Sequence, residues 1–257
     1  MTTSTVQAAS QQLVPTASRL LVTTRVPDGE PYRAVGFLTH DDDRGYCFTY
    51  LRREVERVDF RPLPGLTRAV DSTFCSRTLF PIFAERVISS RRPDRAESME
   101  ALGLPVDAAP FEVLVRSQGQ RVGDTIELLP APHISDDGAV SFLFLAHGVR
   151  HIPVEAQERI SRLAQGEQLL LRPEPSNPIN PLAQMVTDAE EIQVGWLPDP
   201  LIPLVEQTTS RELTVEKANG PEVGFHFRLL VRFAGQLPHG LQPFEGPLWA
   251  TVDGDID

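Results

Sequence analysis

Six histidines stand at positions 40, 133, 147, 151, 226 and 239, and only one pair has a spacing that suits metal ligation. His147 and His151 would share a face of a helix, four residues apart. They lie instead in "VSFLFLAHGVRH", an apolar run that reads as a buried strand. There, residues i and i+4 stand about 13 Å apart along the chain, too far to grip one ion. Paired carboxylates occur in "DDDRG" (41–45) and "DAEE" (188–191), where charge runs read as solvated turns. No GxxxxGK[ST] phosphate loop, GxGxxG, HExxH or GxSxG is present. These residues point away from catalysis, and neither a cofactor nor a metal is expected.

Aromatic and basic residues interleave at Phe74, Arg77, Phe80, Phe83 and Arg86. Such a pattern suits a nucleic-acid or partner surface. It equally describes a helix with its rings in the core, which is the simpler reading. Two cysteines, Cys47 in "YCFTY" and Cys75 in "TFCSR", are too few for a four-thiolate zinc site. Their apolar settings predict buried thiols in a reducing compartment.

These residues must be positioned by short elements, because 23 prolines in 257 residues break the chain often. "RLLVTTRV", "YRAVGFLTH" and "GYCFTYL" alternate with the turns "PDGE" and "DDDRG", predicting an antiparallel meander. Helical spacing follows in "SRTLFPIFAERVISS", with Leu79, Ile82, Phe83 and Val87 on one face. It recurs in "RRPDRAESMEALGLP", where Asp94 and Glu97 resemble a capping box, and in "DAAPFEVLVRSQGQ". After "HISDDGA", the pattern turns mostly to strands: "EQLLLRP", "LAQMVT", "IQVGWLP", and a hairpin signalled by Asn219-Gly220. A helix is predicted over "PVEAQERISRLAQG". The expected organisation is α+β: a loose tail over 1–18, an α+β domain over 19–135, a small mostly-β barrel over 139–240, and an acidic tail over 241–257.

Net charge is −11, which excludes the basic-domain signature of a duplex-wrapping protein. The charge is uneven: residues 140–257 hold 8 Lys and Arg against 16 Asp and Glu, whereas Arg44–Arg95 holds 11 Arg against 6 acids. An anion held by charge would favour that arginine-rich stretch. The N-terminus lacks the charged start and apolar run of a signal peptide, and no apolar run approaches the ~18 residues of a membrane span. A cytoplasmic location with no membrane partner is expected.

Four pieces of the second half carry a resemblance: the strand ending "HGVRH", the segment "GEQLLLRPEPSNPINPLA", a short strand, and "VGWLP". In order and spacing, residues 144–207 resemble the HIRAN domain, a module found fused to helicases, nucleases and fork remodellers and also in bacterial proteins. The resemblance implies an OB-like barrel that captures a single-stranded DNA 3′ end. It places Arg150 where a nucleotide-contacting arginine stands and His151 where the family often has an aromatic. Asn177 and Pro178 match the family's loop, and Trp196 takes the Tyr/His position. Ile179 replaces the usual tyrosine and Asn180 the usual aspartate. The implied nucleic-acid-binding residues are Arg150, His151, Asn177, Asn180 and Trp196.

More loosely, "GFLTHDDDRGYCFTYL" and "LFPIFAER" make the first half similar to the N-terminal subdomain of HipA-type proteins, without their kinase core. That implies docking or dimerisation. The sequence therefore predicts a non-catalytic protein that binds single-stranded DNA or DNA ends, with a protein partner or a second copy at its first half. The alternative is a protein–protein adaptor whose pocket has lost DNA.

Overall fold

The structure, a computed structural model, describes residues 18–25, 32–121 and 125–254. The tail expected over 1–18 lies, apart from Ser18, outside the described residues. Five strands form the first sheet: β1 (Arg19–Thr24), β2 (Arg33–Asp41), β3 (Gly45–Tyr50), β4 (Phe74–Ser76) and β5 (Ile126–Pro130). Their order is β4-β3-β2-β1-β5, all neighbours antiparallel, so the predicted meander is present and extended at both edges.

Apolar residues run consecutively along β1 because both faces of this sheet are covered. Leu20 and Val22 join a cluster with Phe48, Tyr50, Phe83 and Phe111. Leu21, between them, points to the opposite core with Phe37 and Leu129. Side chains alternate across a strand, so a doubly covered strand reads as an unbroken apolar run.

Four short helices follow β3: α1 (Arg52–Val55), α2 (Pro81–Ala84), α3 (Arg95–Ala101) and α4 (Pro110–Ser117), with Met99 of α3 and Val113 of α4 in a small cluster of their own. The helix expected from Ser76 is shorter than its periodicity suggests. Pro81 opens α2, and Phe80 before it is extended at ψ 140°, as the residue preceding a proline must be. Phe83 is fully buried, and Phe74 and Phe80 pack against the same cluster. The interleaved rings are therefore core. Asp94 does precede α3, but its carboxylate takes the Arg92 guanidinium (Nε, 2.8 Å) instead of capping a helix N–H.

The cysteines are a correction. Cys47 and Cys75 face each other across β3 and β4 with Cα atoms 4.2 Å apart, and they form a disulfide. They are not two free thiols. The register of two adjacent strands put side chains 28 residues apart in the sequence directly opposite one another.

Seven strands form the second sheet: β6 (His133–Ile134), β7 (Ala139–Leu145), β8 (Gln168–Pro173), β9 (Gln184–Thr187), β10 (Gln193–Trp196), β11 (Thr209–Ala218) and β12 (Leu229–Gln236). Helices α5 (Val154–Ile160) and α6 (Ile202–Gln207) interrupt them. The order is β10-β9-β8-β11-β12-β7-β6. In place of the expected small barrel stands an antiparallel ladder in which β10 meets the chain just beyond β7 at one bridge, His147 to Trp196. The protein is thus α+β, with two antiparallel sheets and short helices.

The Asn219-Gly220 signal marks a longer connection than a two-residue turn, since β11 ends at Ala218 and β12 begins at Leu229. The Asn219 amide donates to the carbonyls of Ala101 (2.8 Å) and Phe227 (2.6 Å), tying the hairpin end to α3.

One core runs between the halves: Phe142, Phe144 and Phe233 of the second sheet cluster with Leu21, Phe37, Leu51 and Leu129 of the first. The segment read as an acidic tail folds back onto the first sheet. Phe244 is buried, Trp249 packs on Phe37 and Phe244, and the Arg52 N–H donates to the Ala250 carbonyl (2.9 Å). Among the described residues, no helix is long and apolar enough to cross a membrane.

Candidate functional site

The bridge between β10 and the chain just beyond β7 is built by two glycines. Beyond β7, His147 and Trp196 exchange backbone hydrogen bonds of 2.9 and 3.0 Å. Gly195 lies at a bulge in β10, with φ +149°; a Cβ there would sit 2.9 Å from Ala146 Cβ and from the His147 carbonyl. Gly148 has φ +69°, and its Cβ would fall 2.3 and 2.5 Å from Trp196 ring carbons. Only glycine permits both the backbone angle and the contact. "HG" and "GW" are therefore two halves of one joint, and the indole rests on Gly148.

From there, polar contacts lead into the proline-rich loop. The Trp196 indole N–H donates to Glu174 Oε2 (2.7 Å), which also accepts from the Asn177 amide (2.6 Å). Asn177 Oδ1 accepts the N–H groups of Ile179 (3.0 Å) and Asn180 (3.1 Å), and Asn180 Oδ1 accepts that of Leu182 (2.9 Å). Both asparagines hold Asx-type turns. The loop then closes with the Glu174 N–H on the Ala183 carbonyl, 2.9 Å. Its outward surface is apolar: Ile179 is 75% exposed and Leu182 60%.

The strand expected to carry His147 and His151 ends at Leu145; after Gly148 the chain makes a 3-10 turn over Val149–His151. Arg150 and His151 lie exposed on that turn, with Arg150 Nε donating to His151 Nε2 (2.9 Å). The structure thus brings Asn177, Asn180 and Trp196 into one network and sets Arg150 and His151 on the neighbouring turn. Among the described residues, neither Arg150 nor His151 bonds directly to the loop.

Sequence reasoning missed a second cluster behind the bridge. His147 Nε2 meets Glu127 Oε1 at 2.6 Å, with side-chain exposures of 17% and 7%. Gln120 also donates to Glu127 (3.1 Å), and Tyr32 packs near the imidazole at 6.2 Å. Burial pulls the His147 pKa down, but the Glu127 carboxylate more than offsets this, leaving it raised. Burial raises Asp199, against the bond from Asn180 and the pull of His147. Burial, followed by Glu127, pushes the Tyr32 phenol up to about 12, and Tyr32 accepts a bond from Arg25 (2.7 Å). Burial lowers His226, helped by the positive charges of His147 and Arg150.

The signal for this cluster lay in "TIELLP", where a charged residue interrupts an apolar strand. Its partner lies across the sheet boundary, out of reach of local spacing. No group of three or more His, Cys, Asp or Glu suited to a metal occurs among the described residues. The acidic turns are structural: Asp41 accepts the Arg44 N–H (2.6 Å), and buried Asp188 holds Arg159 (2.7 Å) and two loop N–H groups.

No family profile and no curated protein sequence matches the chain. Two solved structures are similar to part of it. The HIRAN domain of human HLTF is 19% identical, with 38% of this chain matched to 78% of that one at a TM-score of 0.28. A protein from Lactobacillus plantarum is 18% identical, with 38% matched to 97% at a TM-score of 0.31.

Proposed function

We propose that the chain is a non-catalytic nucleic-acid-binding protein that holds single-stranded DNA, or a DNA 3′ end, at the joint between the Gly148 turn and the proline-rich loop. One observation supports this above the others. Three separated segments with HIRAN-like sequence meet here, through the Trp196 ring on Gly148 and its N–H on Glu174. Trp196 supplies a half-buried π-face, and a base stacked on an aromatic is worth about 1–3 kcal/mol. Arg150 is exposed on the adjacent turn, where the guanidinium edge that does not bond His151 can meet a phosphate. The first half docks a protein partner or a second copy.

A specific observation favours a second reading, that of a protein–protein adaptor. Ile179 and Leu182 face solvent at the loop tip, and Glu174, Glu127 and Asp199 place carboxylates close behind. Apolar contact suits a protein surface, and negative charge repels a polyanion.

Fluorescence anisotropy with 3′-recessed, 5′-recessed and blunt labelled duplexes, across a salt series, separates the two. DNA binding predicts preference for the exposed 3′ strand, a falling affinity with salt, and a loss of about tenfold in Arg150→Ala. Absence of binding at low salt, or binding indifferent to Arg150→Ala, favours the adaptor.

A further inference from the structure

A cleft of about 850 Å³ opens on the first half. Five arginines from five separate segments line it: Arg25, Arg33, Arg61, Arg86 and Arg121. Only three carboxylates join them, Glu54, Asp59 and Glu85. All three are occupied in fixing rim arginines. Arg33 is held by Asp59 at 2.9 Å and Glu54 at 3.6 Å, and Arg121 by Glu85 at 2.9 Å. Among the described residues, Arg61 has no carboxylate partner, whereas Arg25 donates to the Tyr32 hydroxyl and is drawn by the charges of Glu127 and Asp199. Arg86 is buried, and its guanidinium donates to the Ile82 carbonyl.

The floor is apolar, made of Val35, Leu63, Ile82 and Ile126. It therefore differs from an ordinary solvated arginine surface. The size falls within the ~300–1,000 Å³ of small-ligand sites. Guanidinium forks match phosphate oxygens two at a time and are more weakly hydrated than ammonium groups, so they suit a partly enclosed anion. A cation excess above an apolar floor calls for a ligand with negative charge at one end and a flat or apolar body at the other.

We propose that this cleft binds a phosphate-bearing organic anion of mononucleotide size. The phosphate sits against Arg61, and the body covers Val35, Ile82 and Ile126. The arginine-rich stretch of the sequence supplies Arg61 and Arg86; the fold adds Arg25, Arg33 and Arg121 from outside it.

Isothermal titration calorimetry of the full chain at low ionic strength, with AMP, adenosine and inorganic phosphate as probes, tests this. AMP is expected to bind at one site, with adenosine and phosphate each at least tenfold weaker. Arg61→Ala should weaken AMP at least fivefold while thermal unfolding stays unchanged, and Arg61→Lys, which keeps the charge but not the guanidinium fork, should weaken it less. Heats from AMP no greater than from adenosine, phosphate binding as tightly as AMP, or AMP affinity retained in Arg61→Ala would overturn the proposal. Arg61→Ala leaves the DNA-end anisotropy unaltered, so this site and the Trp196 site succeed or fail separately.

Discussion

At the scale of single residues, Gly148 and His147 decide how the joint is held. Gly148→Ala forces a Cβ into the Trp196 ring at a positive φ. It is expected to cost about 2–4 kcal/mol and to shift Trp196 emission to the red, measured by denaturant unfolding and fluorescence. His147 supplies a pH dependence of definite sign. Its folded pKa is raised above the ordinary 6.5 by Glu127. The pair's stabilisation is therefore fully present below 6.5 and is lost as pH rises through the raised folded value. Unfolding free energies from pH 5.5 to 9 should fall across that window in the parent and lose this component in Glu127→Gln. These roles were only partly legible in the sequence. "HGVRH" and "VGWLP" marked the positions of Gly148 and Trp196, but the clash that demands glycine exists only once the two segments pair.

At the scale of elements, short strands were readable and their partners were not. Alternation and turn residues located β1 to β3 and β8 to β10, because those signals are local. β4 was hidden in a helix-like pattern, and with it the disulfide to Cys47. A bridge closing a loop with a sequence separation of 28 contributes about 3–4 kcal/mol by restricting the unfolded chain. Adding reductant should lower the unfolding free energy of the parent by that amount and leave that of Cys75→Ser, already lowered, where it is. The proline-rich loop behaved as its composition suggested: Asn177 and Asn180 cap its turns, and its outer face is left to Ile179 and Leu182. The bond from Trp196 to Glu174 spans 22 residues and required the β8–β9–β10 ladder to be in place.

At the scale of the whole molecule, the two halves share one core, and the final segment packs back on the first sheet. Sequence spacing marked a boundary near "HISDDGA", since the connection there is polar. It carried no sign that Leu21 and Leu129 would meet Phe142 and Phe144 across it. The same shared geometry gathers Glu127 and Arg25 from one half beside His147 and Asp199 from the other, which is why that cluster escaped a reading by segments. The arginine cleft is also a product of assembly, drawing on five separate stretches.

The proposed function requires Trp196, on Gly148 and beside the proline-rich loop, to meet the terminal nucleotide of a single strand. The chain has two tryptophans, and Trp249→Phe leaves Trp196 as the sole indole reporter while keeping a ring against Phe244. Titrating this variant at low salt with a short oligonucleotide ending in a 3′-hydroxyl should quench Trp196 emission saturably. The same strand ending in a 3′-phosphate should bind at least several-fold more weakly. No quenching by either strand, with the fold intact, would contradict the account.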